Sequence, residues 1–208
     1  MNRLFHVTRT PGLAEGVQFS FIEELREALK ATTETEVQIK ISGDGAKVSK
    51  MCHFTTLSFT IMCSEEKHVH PLAIIKALES YEMLEISCKG VFDEINSVIE
   101  SGKIRPTVNE KEVSVKIFLS ADYKFLLLLM GLSGATASHA CFWCIMHKND
   151  RHDMSKPADF YNSGAMSRSL EDLFRWVSHK TYGCKEKPLL NIELSHVVVD
   201  ELCGFIDQ

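Results

Sequence analysis

The chain has 208 residues and a net charge of -5, with 45% hydrophobic and 25% charged residues, the balance of an ordinary globular protein with room for a sizeable core. An acidic total excludes a nucleic-acid grip by electrostatics alone, so any basic surface must be local or lie on another chain. No apolar run nears the roughly 20 residues needed to span a bilayer, and the opening MNRLFHVTRTPG lacks the apolar core of a signal peptide. An intracellular protein without a membrane partner is expected. Seven cysteines in that setting point to metal binding or burial rather than to a disulfide framework.

Taken in order, residues 18–31 (QFSFIEELREALKA) place Phe19, Ile22, Leu25 and Leu29 at helical spacing, with Ser20 as N-cap. A polar linker leads to residues 37–44 (VQIKISGD). There Val37, Ile39 and Ile41 alternate with Gln38, Lys40 and Ser42, the period of a strand with one buried face. Asp44 closes that run between Gly43 and Gly45. The glycines would leave its flanks open to a ligand or metal; the plainer reading is a surface turn after a strand. Residues 53–63 (HFTTLSFTIMC) predict a second strand, the hairpin partner of the first. Residues 64–70 read as a polar connection, and 72–78 (LAIIKAL) suit a buried strand or a helical turn equally.

Residues 80–101 predict helix, broken at Gly90 and stopped by Gly102. A hairpin is expected from residues 104–108 and 113–119, turning at Asn109-Glu110, with Val113, Val115 and Ile117 alternating. After Asp122, residues 123–132 are apolar enough for a buried helix. A small-residue loop, 134–138, runs into Cys141-Phe142-Trp143-Cys144. Residues 148–164 are polar and expected to be flexible. A short amphipathic helix at 170–177, a turn at 182–188 and an apolar segment at 189–206 complete the chain.

Two constellations could carry chemistry. A strand, Asp44, a meander, a helix and a strand ending at Asp122 follow the wiring of an RNase H-like α/β domain, where the first and fourth strands are neighbours. Carboxylates at their ends would then meet and repel unless a divalent cation sat between them. Mg²⁺ takes oxygen ligands and, as a pair, clamps the attacking and leaving oxygens of a phosphoryl displacement. Asp122 could equally be the N-cap of the helix that follows. The second constellation is Cys141-x-x-Cys144, half of a tetrahedral zinc site. His147 and His152 would complete C-x2-C-x2-H-x4-H, with a loop shorter than usual; otherwise the pair are partly buried thiols beside Phe142 and Trp143. His139 and His196 stand alone and read as surface or core fillers.

Residues 39–45 (IKISGDG), Phe59-Thr60-Ile61, 116–125 (KIFLSADYKF) and 131–144 (GLSGATASHACFWC) together resemble the catalytic core of the recombination-activating (RAG) recombinase subunit. They are more similar still to the RAG-like and Transib-type transposases of invertebrate animals. The resemblance covers roughly residues 37–206, and its specificity lies in the order of the pieces. It implies catalytic, Mg²⁺- or Mn²⁺-binding roles for Asp44 and Asp122, a Zn²⁺-binding role for Cys141 and Cys144, and DDE-type nicking and strand transfer on DNA in the nucleus. The family's third acid, a helix-borne Glu, has no counterpart before Gln208, and neither do the histidines of its zinc site. Residues 191–206 resemble a family stretch in which a His stands where Cys203 stands here; Glu193 and Glu201 match nothing.

The expectation is therefore an α/β fold: an RNase H-like mixed sheet with flanking helices, truncated, with a CxxC zinc half-site after the second acid. Its organisation would be an N-terminal helix and linker (1–36), a core (37–132), and a CxxC-containing insertion with an incomplete C-terminal segment (133–208). The function would be that of a fragment or domesticated relic of a DDE transposase, inactive alone and open to homodimerisation. The alternatives are a non-catalytic, zinc-supported DNA- or protein-binding module, and an α/β domain whose two acids only cap elements.

Overall fold

In the computed structural model, residues 7–30, 32–50, 52–62, 68–106, 111–153, 155–157, 160 and 164–200 are described. The chain divides into two compact units, Met1–Ser120 and Ala121–Gln208. The first runs β1 (Val7–Arg9), β2 (Glu15–Phe19), α1 (Phe21–Leu29), β3 (Glu36–Ser49), β4 (Cys52–Ile61), β5 (Val69–Lys76), α2 (Tyr81–Ser87), α3 (Lys89–Ser101), β6 (Lys103–Ile104) and β7 (Val113–Ala121). The fold is mixed α/β, and the strand order is β1-β2-β5-β4-β3-β7-β6. All these pairs are antiparallel except β3 and β7, which run parallel from Glu36 opposite Ser114 to Ile41 opposite Leu119. A parallel pair cannot be closed by a tight hairpin. Here the return path is the β4–β5 meander followed by α2 and α3.

The alternation at 37–41 and 113–119 reports the buried face correctly. Val37, Ile39, Ile41, Val113, Val115, Ile117 and Leu119 are all buried. On that side Phe21 of α1 meets Phe59 of β4 edge-to-face at 5.5 Å, and burying each such ring contributes roughly 1.5–3 kcal/mol. Helix α1 starts where Ser20 predicts it. The Ser20 side chain accepts from the Glu23 amide and its hydroxyl donates to Glu94 of α3, which also accepts from the Ile22 amide at 2.9 Å. A carboxylate from a neighbouring helix thus satisfies donors that α1 cannot satisfy itself.

Three expectations are corrected by the tertiary structure, and one left open is decided. Strand β3 does not stop at Asp44; it continues to Ser49, with Asp44 opposite Thr56 of β4. The residues after Asp44 are exposed and do not alternate, so only their ladder with β4 makes them a strand. Residues 72–76 resolve as strand because β5 finds a partner on either side, in β4 and β2. Pro71, which lacks an N–H, sits where the β4–β5 register shifts, a position that tolerates it. The helical stretch breaks at Cys88 rather than Gly90, which lies in the first turn of α3; Gly102 ends α3 in the left-handed region, φ 65°. The first strands, β1 and β2, have no signature in the sequence and exist as an antiparallel extension of β5. The predicted hairpin turn at Asn109-Glu110 lies outside the described residues.

The second unit has little regular structure: α4 (Tyr123–Leu129), α5 (Leu170–Val177) and β8 (Val197–Val199), with short 3-10 turns at Lys148–Asp150, Gly164–Met166 and Leu194–His196. Helix α5 falls on the predicted residues and carries a full capping box, Ser169 with Asp172. Helix α4 ends earlier than predicted, at a chain reversal where Gly131 adopts φ 67°. The core gathers Phe125, Leu126, Leu129, Phe142, Leu173 and Leu190. Arg151 holds the small-residue loop by donating to the carbonyls of Ala135 and Ala137. Of the expected flexible stretch, residues 154, 158–159 and 161–163 lie outside the described residues, as do Glu201 and Cys203.

Candidate functional site

Asp44 is exposed and, by the period of two, faces away from Ile39 and Ile41. Its own carbonyl accepts from Thr56 Oγ1 at 3.3 Å. At Gly45 a Cβ would lie 2.4 Å from Glu79 Oε2, so the missing side chain leaves room for the Glu79 carboxylate. Asp122 belongs to the second unit. It is the N-cap of α4, its Oδ1 accepting from the Phe125 amide at 2.6 Å. The capping role weighed in the sequence is therefore present, and it occupies one of the two carboxylate oxygens.

The cysteine pair is the best-built feature of the second unit. Cys141 is half-buried and Cys144 buried, on a bend whose rings are fixed from both ends. Tyr123 Oη donates to the Ala140 carbonyl at 2.9 Å, and Trp143 Nε1 donates to the Leu194 carbonyl at 3.1 Å. The Cys141 sulfur accepts a hydrogen bond from the Cys144 thiol and from the amides of Trp143 and Cys144, while the Met146 amide donates to the Cys144 sulfur. The Cys144 bond pulls the Cys141 thiol down to about 6; burial opposes this, and the amides and the Arg168 charge assist it. Cys144, the donor of that bond and itself desolvated, is pushed up.

Arg168 organises this region, and nothing in the polar stretch around it announces that. It is 6% exposed. Its Nε donates to the Cys144 carbonyl at 2.9 Å, and its Nη2 donates to the carbonyls of Tyr182 at 2.7 Å and His139 at 3.3 Å. Its Nη1 lies 3.7 Å from the sulfur of buried Cys184. A buried arginine is indistinguishable in sequence from a solvated one, because burial depends on carbonyls supplied by two segments distant in the chain, 139–144 and 182.

The histidines do not join the cysteines. His147 Nδ1 accepts from the Asn149 amide as cap of a 3-10 turn, and His152 is exposed. Among the described residues no three His, Cys, Asp or Glu side chains come together in a metal-holding group. Cys141 and Cys144 are brought together; His147 and His152 are not brought to them. Glu193 heads the turn Leu194–His196. Among protein-family models and curated proteins, the chain matches none.

The sulfur chemistry has a direct readout. With its pKa lowered by the Cys144 bond, Cys141 forms thiolate at a lower pH than an ordinary thiol, which reaches that state only around pH 8.5. Iodoacetamide at neutral pH should therefore label Cys141 first, at a rate that levels off above neutrality. Cys88, fully buried and pushed up to about 12 by desolvation, should stay unlabelled. Peptide mapping across a pH series checks this; a rate still climbing steeply towards pH 9 would contradict the assigned thiolate.

Proposed function

We propose that this chain carries an RNase H-like segment of a DDE-type DNA transposase or recombinase, inactive in strand transfer by itself, acting on DNA in the nucleus. The observation that carries the reading is the strand order β5-β4-β3-β7, with only the last pair parallel. That is the wiring in which carboxylates on the first and fourth strands serve a shared cation. Within the first unit β3 and β7 run side by side in parallel as far as Ile41 opposite Leu119. As oxygen donors the two acids suit Mg²⁺ or Mn²⁺, and a bound divalent ion would supply charge neutralisation at a phosphodiester. The chain's own part is to carry the two acids on regular elements, Asp44 in β3 and Asp122 at the start of α4.

Calorimetric titration with Mn²⁺ tests this. Heat of binding should be present in the wild type and lost in Asp44→Asn and Asp122→Asn. Asparagine caps a helix as well as aspartate does, so Asp122→Asn removes the charge and keeps α4 intact. Absence of binding, or variants that bind like the wild type, would overturn the proposal.

A second reading, a non-catalytic zinc-supported binding module, is favoured by the amide-to-sulfur bonds at Cys141 and Cys144, the environment a metal-bound thiolate pair requires. The pair fits two of the four ligands of zinc. Metal content of the purified chain that falls in Cys141→Ser, with Mn²⁺ binding absent, would support this reading over the first.

A further inference from the structure

Three sulfurs gather on the guanidinium of Arg168. Its Nη1 lies 3.7 Å from Cys184 Sγ, and its charge acts on the thiols of Cys141 and Cys144 as well. Two of the three also touch each other, since the Cys144 thiol donates to the Cys141 sulfur. The backbone under that contact is fixed. Cys144 is bridged to Ser167, the Ile145 amide donates to the Met166 carbonyl at 2.9 Å, and the Arg168 amide donates to the Trp143 carbonyl at 2.9 Å. Arg168 Nε holds the Cys144 carbonyl, also at 2.9 Å. Two thiols kept in contact by their surroundings stand one bond short of a disulfide, whose length is about 2.05 Å.

The two members differ in ways that set an order of events. Cys141 is half-buried and open to a small reagent, whereas Cys144 is 7% exposed. The Cys141 sulfur receives the Cys144 thiol and the amides of Trp143 and Cys144, with the Arg168 charge nearby. Each of these favours its thiolate, the form that attacks. Cys144, the donor of that bond and itself desolvated, keeps its proton. The attacking sulfur is thus the reachable one, and its partner is sheltered behind it. Cys184 and Cys88 are buried and pushed up by desolvation. Cys52 offers the contrast, half-buried like Cys141 but at the start of β4 in the first unit.

We propose that Cys141 and Cys144 form a peroxide-sensitive dithiol, with Cys141 as the attacking sulfur and Cys144 as the resolving one. The Cys141 sulfur attacks one oxygen of a hydroperoxide, and the O–O bond breaks. The departing oxygen takes up the proton that Cys141 gave up and leaves as water, while Cys141 becomes a sulfenic acid. The Cys144 sulfur then attacks the Cys141 sulfur, and the S–O bond breaks. That oxygen leaves as a second water with the Cys144 proton. The two sulfurs give up two electrons in all, and the peroxide takes both. A thiol reductant reverses the change by exchange.

The chemistry lies wholly in the second unit and needs neither Asp44 nor a divalent ion. Zinc on the same sulfurs would block it, so the test starts from the full chain after a chelator wash. One equivalent of hydrogen peroxide at neutral pH, an acid quench and peptide mapping should show a Cys141–Cys144 disulfide before any other oxidised cysteine. Cys141 should react at least about fivefold faster than Cys52, the gain of a favoured thiolate at similar exposure.

Cys144→Ser should leave a sulfenic acid at Cys141, captured by dimedone at least about fivefold more than in the wild type. Cys141→Ser should leave Cys144 reduced. The wild-type mapping needs no substitution, so the inference stands or falls even where a variant does not fold. Asp44→Asn should behave as the wild type, which separates this chemistry from the metal-site reading. A first disulfide elsewhere, Cys52 reacting as fast as Cys141, or equal dimedone capture in Cys144→Ser and the wild type would overturn the inference.

Discussion

Replacing Arg168 with leucine should cost the protein about 3 kcal/mol or more, among the largest effects open to a single side chain. The guanidinium donates to the carbonyls of Cys144, Tyr182 and His139, and an acceptor left buried without a donor costs roughly 1–3 kcal/mol. Leucine matches part of the volume and none of the donors. Lysine keeps the charge but cannot reach carbonyls on separate loops with one ammonium, so Arg168→Lys should recover only a minority of the loss. Burial pulls the basicity of Arg168 down, and the neighbouring sulfurs of Cys184, Cys141 and Cys144 oppose that. Urea denaturation of the two variants, with iodoacetamide labelling of Cys141 alongside, measures the effect. The labelling preference should weaken together with the stability. A loss well under 1 kcal/mol would mean that the hydrogen bonds do no more than offset the cost of burying the charge.

The second large effect is expected from a methyl group. Gly131→Ala places a Cβ 2.2 Å from the Glu186 carbonyl oxygen and 2.9 Å from that of Lys187, with φ at +67°. Both neighbours are backbone, and the same segment is tied to Gly131 by the amides of Lys185 and Glu186, which donate to its carbonyl at 2.9 and 3.0 Å. The chain cannot yield to the methyl without breaking those bonds, so a loss of about 3 kcal/mol or more is expected. Gly102→Ala provides the control. Its φ is +65°, yet nothing lies within 4 Å of the added atom. Only the conformational cost remains there, about 1 kcal/mol. The difference between the two variants in thermal or urea denaturation isolates the steric part. Equal losses would show that residues 185–187 move freely.

Local patterns in this chain are informative where one face of an element meets a core. Val37, Ile39 and Ile41, the alternation at Val113–Ile117, Ser20 ahead of α1 and the capping box of α5 are all written within a few residues. The order of strand, meander, helices and strand also implies that β3 and β7 are neighbours, and they are. The candidate site divides differently. The pairing of Cys141 with Cys144 is legible from their spacing, and the capping bond of Asp122 from its place before an apolar helix. That His147 caps its own turn instead of turning back to the cysteines depends on a hydrogen bond two residues away, to which the metal-ligand spacing rules are blind.

What the amino-acid order determined by itself is thus the set of buried faces, the helix starts and the thiol pair, because those depend on periodicity and on contacts within one turn. What tertiary structure alone decided is the extension of β3 through Gly43-Asp44-Gly45, the choice of strand for β5, and the edge strands β1 and β2. It also decided the use of Gly45 to admit Glu79 and the burial of Arg168. Each of those depends on backbone donors, acceptors or free volume contributed by residues far away in the chain. No window along the sequence contains both partners.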